Sequence, residues 1–286
     1  MRYDFVLGAN DPEMAMIARL LEANGLTYWF AAVDGKRCHL GNATRANGLI
    51  SPAGEAQALV PDYSRYYFVE SRPESISRAE KHRLLNVIDH HEEGDPGYAL
   101  GPNRFWEASS LGQVVAVLTT LGYSVMVTQE MKILAAMDHC RQAAIRGGCP
   151  GVTAKEVIAC RVREIAQAQG VTTGVVEREI KSFSSILRNR RAILFADGEV
   201  VDFTDTHLGV GCSLSLLCVQ TALNITGIAA LLRHNDTASP ATEKVTLSGH
   251  ASERMVEYFM NVYGPHVELK GIYGVPARSY AGGYLA

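Results

Sequence analysis

One carboxylate and two imidazoles, Asp89, His90 and His91, directly follow the apolar run 84–88. A short apolar run of this kind is typical of a buried strand, and ligands of open α/β sheets bind outside the carboxyl ends of strands. Carboxylate and imidazole together suit divalent ions such as manganese or zinc. A surface turn that happens to carry two histidines is the other interpretation, so the rest of the chain must decide between the two.

The first half of the chain supplies elements that would position these side chains. Asp11 followed by Pro12 predicts a helix start, with an N-cap acceptor and a proline in the first helical position. Strands alternating with helices indicate a mainly parallel sheet. The predicted strands are 3–7, 27–33, 66–70, one within 82–89 and 123–127, and the predicted helices after the first are 109–121 and 130–145.

The second half predicts another, smaller α/β unit. Two consecutive charged helices come first, and strands, an apolar stretch and a further helix follow. The predicted helices are 153–169, 174–187 and 252–262, the strands 192–195, 200–204, 244–247 and 267–273, and the apolar stretch 214–232. We therefore expect a domain at 1–150, a helical connector at 151–190 and a smaller C-terminal α/β domain at 191–286.

Composition limits the class of protein and of partner. The 286 residues are 47% hydrophobic and 20% charged, which is ordinary for a globular protein. A net charge of −3 without a basic run argues against a long nucleic acid duplex, since such binding needs accumulated positive charge. We expect no signal peptide, no membrane partner and a cytoplasmic location, with six scattered cysteines as reduced thiols. A homodimer is compatible with the sequence, which does not determine the oligomeric state.

The stretch 87–91, Val-Ile-Asp-His-His, resembles the third motif of the DHH phosphoesterase superfamily, and Ala108-Ser109-Ser110 resembles the helix start that follows it there. The superfamily includes family II inorganic pyrophosphatases, exopolyphosphatases, single-strand exonucleases and enzymes that degrade short oligoribonucleotides. The resemblance covers about the first 150 residues. It implies a DHH-like domain, a smaller second domain of the DHHA1 type, and metal-dependent hydrolysis.

The resemblance also implies a ligand set, in which several positions differ from the family pattern. Ala9, Glu13 and Ala15 stand where the first motif has a histidine and two aspartates, and Glu70 stands at the bridging aspartate of the second motif. Asp138 is the counterpart of the fourth motif. The implied metal ligands are Glu70, His90 and Asp138, with Glu13 as a weaker one. They would hold one divalent ion, Mn²⁺ or Mg²⁺, because three ligands with open positions suit a catalytic site.

The remaining motif residues receive catalytic roles from the resemblance. His91 would face the substrate phosphate, and Asp89 would orient a histidine through its ring N–H. Asp138 has an alternative role as a helix-face carboxylate paired with Arg141 or Lys132.

Substrate-binding candidates occur in both halves of the chain. Ser109 and Ser110 at a helix start could donate to a phosphate, although capping would explain one of them. Gly249 and His250, in a strand–glycine–helix junction, could present backbone N–H groups to an anion or form an ordinary turn. Arg278 belongs either to a phosphate-binding loop or to a loose tail.

Two functions follow from these expectations. The first is a metal-dependent phosphoesterase that hydrolyses a small phosphoester or short oligonucleotide in a cleft between the two domains. The alternative is a DHH-fold protein whose chemistry has decayed and which binds a nucleotide or phosphate without hydrolysis. Ala9 and Ala15 favour the alternative, because alanine cannot coordinate a metal.

Overall fold

The chain forms two compact units, residues 1–157 and 158–286, each built around its own sheet. The computed structural model describes residues 3–39, 42–60, 62–211, 213–236, 239–276 and 279–285. Most of the segment predicted as a connector, 151–190, therefore contributes to the second unit. Its two helices pack into the core of that unit.

The first unit is a sheet with helices. Its strands are β1 Asp4–Leu7, β2 Tyr28–Val33, β3 Lys36–Arg37, β4 Gly48–Ile50, β5 Ala56–Ala58, β6 Tyr66–Val69 and β7 Asn86–Ile88. Its helices are α1 Pro12–Ala23, α2 Lys81–Leu84, α3 Phe105–Ala108, α4 Ser110–Thr120 and α5 Gln129–Ile145. Among the described residues the strand order is β5-β4-β2-β1-β6-β7, with β3 also paired to β2.

This sheet is mixed, whereas the sequence predicted a mainly parallel one. Strands β2, β1, β6 and β7 run parallel to one another, but β3 and β4 pair antiparallel with β2, and β5 pairs antiparallel with β4. The prediction missed these three because they are only two or three residues long and carry no clear alternation. Residues 123–127, predicted as a strand, form no regular element.

The parallel strands end together, which brings the candidate residues to one edge. Leu7 pairs with Val69, and Val69 pairs with Ile88, so Gly8, Glu70 and Asp89 follow at the same level. Asp11 begins α1 at this edge as predicted, because its carboxylate accepts a hydrogen bond from Met14 N at 2.8 Å. The carboxyl edge predicted from the strand ends is therefore present.

The close approach of β1 to β6 requires a glycine. A Cβ on Gly8 would lie 2.4 Å from the carbonyl oxygen of Glu70. Gly8 N also donates to Val69 O at 2.9 Å, which extends the ladder by one residue. The close packing of β1 against β6 therefore leaves room only for glycine at position 8, which is also the glycine of the first motif.

The second unit is a mixed sheet with helices on both faces. The helices are α6 Ala154–Gln169, α7 Thr173–Asn189, α8 Leu214–Thr226, α9 Glu253–Tyr258 and α10 Gly264–His266, with a π-helical turn, Phe259–Tyr263, between the last two. The strands are β8 Ala192–Phe195, β9 Gly198–Val210, β10 Ala229–Asn235, β11 Glu243–Gly249, β12 Lys270–Val275 and β13 Tyr280–Tyr284. Their order in the described residues is β12-β13-β11-β10-β9-β8, with β9 and β10 parallel and the other pairs antiparallel.

Both faces of this second sheet are buried. Val201 and Leu232 pack with α6, α7 and α8, whereas Val200 and Leu231 pack with α9. Successive strand residues point to opposite faces, so the apolar residues of β10 pack alternately into two hydrophobic cores. That continuous run is why the sequence showed 214–232 only as an apolar stretch, which the structure divides into α8 and β10.

The predicted last strand, 267–273, corresponds to β12. The residues after it, for which a loose tail was one of two expectations, include strand β13. Within the described residues no helix combines the length and the apolar character needed to span a bilayer.

Candidate metal centre

The candidate site begins with the residue after β6. Glu70 has φ +46°, a left-handed conformation that non-glycine residues seldom adopt. Its backbone N–H is held by Ile88 O at 2.9 Å. Strained backbone of this kind clusters at functional sites, where the surrounding structure fixes it. At Glu70 it places a carboxylate at the sheet edge.

Three carboxylates form an acidic group at this edge. Glu13, Glu70 and Asp138 each offer an oxygen, and these oxygens all lie within 4.8 Å of one another. Burial, and then the charge of Asp138, raise the pKa of Glu70 to about 8. The same two causes raise the pKa of Glu13 well above its ordinary value, with the charge of Glu70 adding to them. Burial and mutual repulsion oppose the ionisation of these carboxylates, and a bound cation would offset both effects.

Protein hydrogen bonds hold two of the carboxylates in place. Ser110 Oγ donates to Glu70 Oε1 at 2.7 Å, and Leu111 N donates to Glu13 Oε1 at 3.0 Å. Both donors belong to the start of α4. Glu13 Oε2 and Asp138 Oδ2 are buried without a hydrogen-bond partner among the described residues. Each of these carboxylates therefore keeps an oxygen that can serve as a ligand.

His90 lies between Glu70 and Asp138. Its Nδ1 is 3.7 Å from Glu70 Oε1, and its Nε2 is 3.3 Å from Asp138 Oδ2. Burial, followed by the charge of His91, lowers the pKa of His90 to about 4, so the ring is neutral at pH 7. Nδ1 makes no hydrogen bond within the described part of the chain. A neutral imidazole is the form that binds metal.

His91 is held by Asp89. Its Nδ1 lies 2.8 Å from Asp89 Oδ1, which also accepts from the backbone N–H groups of His90 and His91. Desolvation alone would lower the pKa of His91, but the hydrogen bond to Asp89 and the charge of Glu70 raise it to about 9. The ring is therefore an imidazolium at pH 7, and 41% of the side chain is exposed. Asp89 orients His91, which is the geometry expected for an orienting carboxylate.

The structure adds His91 to a possible ligand group, which the sequence did not predict. Ring nitrogens of His90 and His91 and an oxygen of Glu70 lie within 4.8 Å of one another. This second group shares Glu70 with the acidic group. Glu70 is therefore the residue common to both possible ligand groups.

Lys81 is a site residue that the sequence analysis missed. Its ammonium is only 2% exposed and donates to Asp89 Oδ2 and to Asp95 Oδ1, each at 2.7 Å. Asp95 in turn accepts from Glu92 N at 2.8 Å. Lys81 lies in the run Lys-His-Arg, which looks like an exposed charged turn, so the sequence offered no signal. The ion pair supports Asp89 from the side opposite His91.

Asp138 lies against His90 and not against a cation of its own helix. Its oxygen faces His90, and within the described residues it forms no ion pair with Arg141 or Lys132. Arg141 Nε instead donates to the Met137 carbonyl. Glu13, expected to be the weaker ligand, lies fully inside the acidic group because the second residue of α1 faces α4.

The predicted phosphate contacts of Ser109 and Ser110 are not supported by the structure. Both residues are completely buried. Ser109 Oγ caps α4 by accepting from Gly112 N at 3.1 Å and donates to Trp106 O. Ser110 positions Glu70 instead. Capping and ligand orientation account for both hydroxyls.

The predicted binding loop of the second unit turns at Gly249. Gly249 has φ +90°, and a Cβ there would lie 2.2 Å from Ile228 O, so a glycine is required. His250 N donates to that same carbonyl at 3.2 Å. A cavity of about 380 Å³ lies beside the loop and is lined by Asp197, His250, Ser252 and Ser279, among others. Arg278 lies outside the described residues.

The donor set fits a divalent metal ion. Buried carboxylate oxygens and an imidazole nitrogen that lack hydrogen-bond partners among the described residues are costly unless a cation compensates them. Oxygen donors with one nitrogen suit Mn²⁺ or Mg²⁺. The residues present therefore match the cofactor that the sequence predicted, without identifying the metal.

Comparison with known proteins gives one weak likeness. No protein-family model and no curated protein matches the chain. Among solved structures, the chain is similar to a pGpG-specific phosphodiesterase, PggH, from Vibrio cholerae, with 12% identity and a TM-score of 0.36 over 100% of this chain and 93% of that one. Values this low establish neither a shared fold nor a shared activity.

Proposed function

We propose that the chain is a divalent-metal-dependent phosphoesterase that hydrolyses a small phosphoester or a short nucleotide. The observation that carries this proposal is the buried group of Glu13, Glu70 and Asp138 beside His90, in which several ligand atoms have no hydrogen-bond partner among the described residues. An imidazolium, His91, stands at the same edge. Negative ligands for a cation and a positive group for an anion are the parts that phosphoryl transfer requires.

Glu13, Glu70 and Asp138 would hold one ion, with His90 as the adjoining nitrogen ligand. A divalent ion bound there would neutralise phosphate charge and make water a better nucleophile at neutral pH. Ser110 keeps Glu70 in its conformation, and Leu111 N does the same for Glu13. These contacts reduce the reorganisation that binding requires.

His91 would act on the substrate. Asp89 holds the proton at Nδ1, and the imidazolium carries a second proton at Nε2. His91 would pair with a phosphate oxygen and give the Nε2 proton to the leaving oxygen as the ester bond breaks. Asp89, itself fixed by Lys81, stabilises the charged ring before that transfer.

Metal content and hydrolysis together test this function. Purified protein is stripped with EDTA, reloaded with Mn²⁺ or Mg²⁺ and analysed for bound metal. It is then assayed on bis(p-nitrophenyl) phosphate and on short dinucleotides. We expect one ion per chain and metal-dependent hydrolysis. Glu70→Gln should abolish both, whereas Glu107→Gln, which changes an exposed acid paired with Arg104, should leave both unchanged.

Binding without hydrolysis is the second candidate function. Ala9 is buried and Ala15 is exposed in α1, and neither side chain can coordinate a metal. Isothermal titration with a dinucleotide separates the two candidates. Nucleotide binding without turnover in the manganese-loaded protein would support the binding function, and absence of bound metal would contradict the metal-dependent one.

A further inference from the structure

One cysteine in the C-terminal part of α5 and another in the turn after that helix lie unusually close together. Cys140 Sγ and Cys149 Sγ are 3.0 Å apart, and both are free thiols. Ordinary heavy-atom contacts are about 3.5–4.0 Å for carbon, and a disulfide bond is about 2.0 Å long. The two sulfurs are therefore closer than simple packing brings heavy atoms, and about 1 Å farther apart than a disulfide bond.

The backbone around both cysteines is fixed in a way that keeps the sulfurs together. Cys140 has φ −145° and ψ 48°, which interrupts α5 and turns its side chain out of the helical series. Cys149 lies in the turn after the helix, where Gly148 N donates to Ala143 O at 2.8 Å and Val152 N donates to Cys149 O at 3.2 Å. A helix break at one partner and a closed turn at the other are independent features that bring the same pair together.

We propose that Cys140 and Cys149 are a peroxide-reactive dithiol that closes to an intramolecular disulfide. This modification site is separate from the proposed hydrolytic function and does not depend on it. A peroxide is the oxidant that fits, because Cys149 is only 2% exposed whereas Cys140 is partly exposed. A molecule as small as hydrogen peroxide can reach the pair from the Cys140 side.

The reaction balances with one peroxide per pair. The thiolate of one cysteine attacks a peroxide oxygen, the O–O bond breaks, and a sulfenic acid and water result. The second sulfur then attacks the sulfenic sulfur, the S–O bond breaks, and a second water carries away the hydroxyl group and the remaining proton. Two thiols are oxidised to one disulfide, and one peroxide is reduced to two waters. Movement of the sulfurs by about 1 Å is enough to form the bond.

The consequence for the fold is that oxidation fixes the helix break. The disulfide ties Cys140 to the turn that follows α5, and a covalent cross-link of a short loop stabilises the folded state. His139, which precedes the break, packs edge-on against His90 at 5.1 Å between ring centroids and donates from Nε2 to Leu100 O. Because of this cross-link, oxidised protein should unfold at a temperature several degrees higher than reduced protein.

The experiment treats the full-length chain with a small excess of hydrogen peroxide in the presence of EDTA, which prevents metal-catalysed oxidation. Intact mass should fall by about 2 Da, as expected for loss of two hydrogens, and dithiothreitol should restore it. Peptide mapping should recover Cys140 linked to Cys149, with two fewer titratable thiols than the six of the reduced chain. Disulfide pairing through other cysteines, or sulfinic acid at single sites without a disulfide, would overturn the proposal.

Matched variants locate the reaction. Cys140→Ser and Cys149→Ser should each prevent the mass loss, and Cys149→Ser should leave a sulfenic acid, trapped with dimedone, on the partly exposed Cys140. Cys218→Ser is the control, because that thiol contacts the Val176 carbonyl, and it should oxidise as the wild type does.

A rate comparison covers the case in which a serine variant fails to fold. In the wild-type chain the disulfide should form faster in the native state than in denaturant, since the fold holds the sulfurs together. An equal or slower native rate would contradict the inference.

Discussion

At the scale of single residues, the site depends on how each ionisable group is compensated. Asp89 accepts from Lys81 on one oxygen and from His91 on the other, so both of its neighbours are held by one carboxylate. Burial would raise the pKa of Asp89, but its hydrogen bond to His91 and the charge of Lys81 lower it below its ordinary value. Among the described residues, Glu13 and Glu70 accept hydrogen bonds only from a backbone N–H and a serine hydroxyl, and not from a charged side chain. The contrast separates carboxylates that orient side chains from those available to a metal.

Lys81→Met should impair activity through Asp89. Without the ammonium, one oxygen of Asp89 loses its partner and the Asp89–His91 hydrogen bond is no longer fixed. We expect a fall in kcat of about 10–100-fold, the usual effect of losing a contact of this type. The 15N signal of His91 Nδ1–H, observed by NMR at constant pH, should also change, which a purely structural role of Lys81 would not cause.

Asp95→Asn is the control for Lys81→Met. It removes the other carboxylate partner of Lys81 but leaves the Lys81–Asp89 contact. Both substitutions break a buried ion pair, so each should cost about 3–5 kcal/mol of stability. Equal losses of kcat in the two variants, with an unchanged His91 signal in both, would show that Lys81 acts only on stability.

His234 gives a pH dependence away from the metal site. The buried ring bonds Asn235 O through Nδ1 at 3.0 Å and lies near Lys244, Asp236 and His207. Burial lowers its pKa below the ordinary 6.5, so the folded state binds fewer protons than the unfolded state. The contribution of the neutral His234 ring to the free energy of unfolding is complete above pH 6.5. It is lost as the pH falls below that value, by up to about 1.4 kcal/mol per pH unit.

His234→Gln tests this pH dependence. Free energies of unfolding, measured in urea between pH 5 and 8, should fall less steeply toward acid pH in the variant than in the wild type. Other titrating groups are common to both proteins and cancel in the difference. Parallel pH profiles would show that His234 titrates alike in the folded and unfolded states.

At the scale of elements, the sequence predicted most of what surrounds the site. The Asp11-Pro12 helix start, the strand ends before Glu70 and Asp89, and the helix beginning at Ser110 are local patterns, so one sequence sufficed. The antiparallel strands were missed although Asp34-Gly35, with positive φ at both residues, is a typical hairpin turn between β2 and β3. The break of α5 at Cys140 was not predicted from the sequence, and there Cys140 contacts Cys149 of a later turn.

The same distinction applies to the candidate site. His90, Glu70 and Asp138 were predicted from motif positions, but the central place of Glu13 depends on α1 packing against α4. Lys81 could not be predicted, since its burial comes from the loop 89–97 folding over it. Pairings set by tertiary packing leave little trace in one sequence.

Gly97 joins that loop to α3 and α4. A Cβ on Gly97 would lie 2.0 Å from Ala108 O and 2.7 Å from His90 Cβ, and a backbone carbonyl cannot move aside cheaply. Gly97→Ala should therefore destabilise the protein by about 1–3 kcal/mol and weaken manganese retention through His90. Gly101→Ala, where the nearest atom is the flexible end of Asn103 at 3.2 Å, is the matched control. Equal stability of the two variants in urea would contradict this account.

At the scale of the whole molecule, metal binding should act mainly on the first unit, where every proposed ligand lies. The ligands come from four separate segments, beginning at α1, β6, β7 and α5, so an ion that joins them restricts the opening of all four. A ligand that binds only the native state stabilises it by about 2.7 kcal/mol at 100 times its dissociation constant. Stabilisation of this size is readily measured.

Hydrogen–deuterium exchange of the full chain, in EDTA and in saturating Mn²⁺, tests this expectation without any assay of activity. Peptides that cover 8–16, 67–72, 87–97 and 131–142 should gain the most protection, since amide exchange there requires the ligands to separate. Glu13→Gln should remove the gain in all four segments, because each ligand holds the same ion. A gain confined to 87–97 would instead indicate that the metal binds His90 and His91 alone, and the acidic group would then not be the centre of the site.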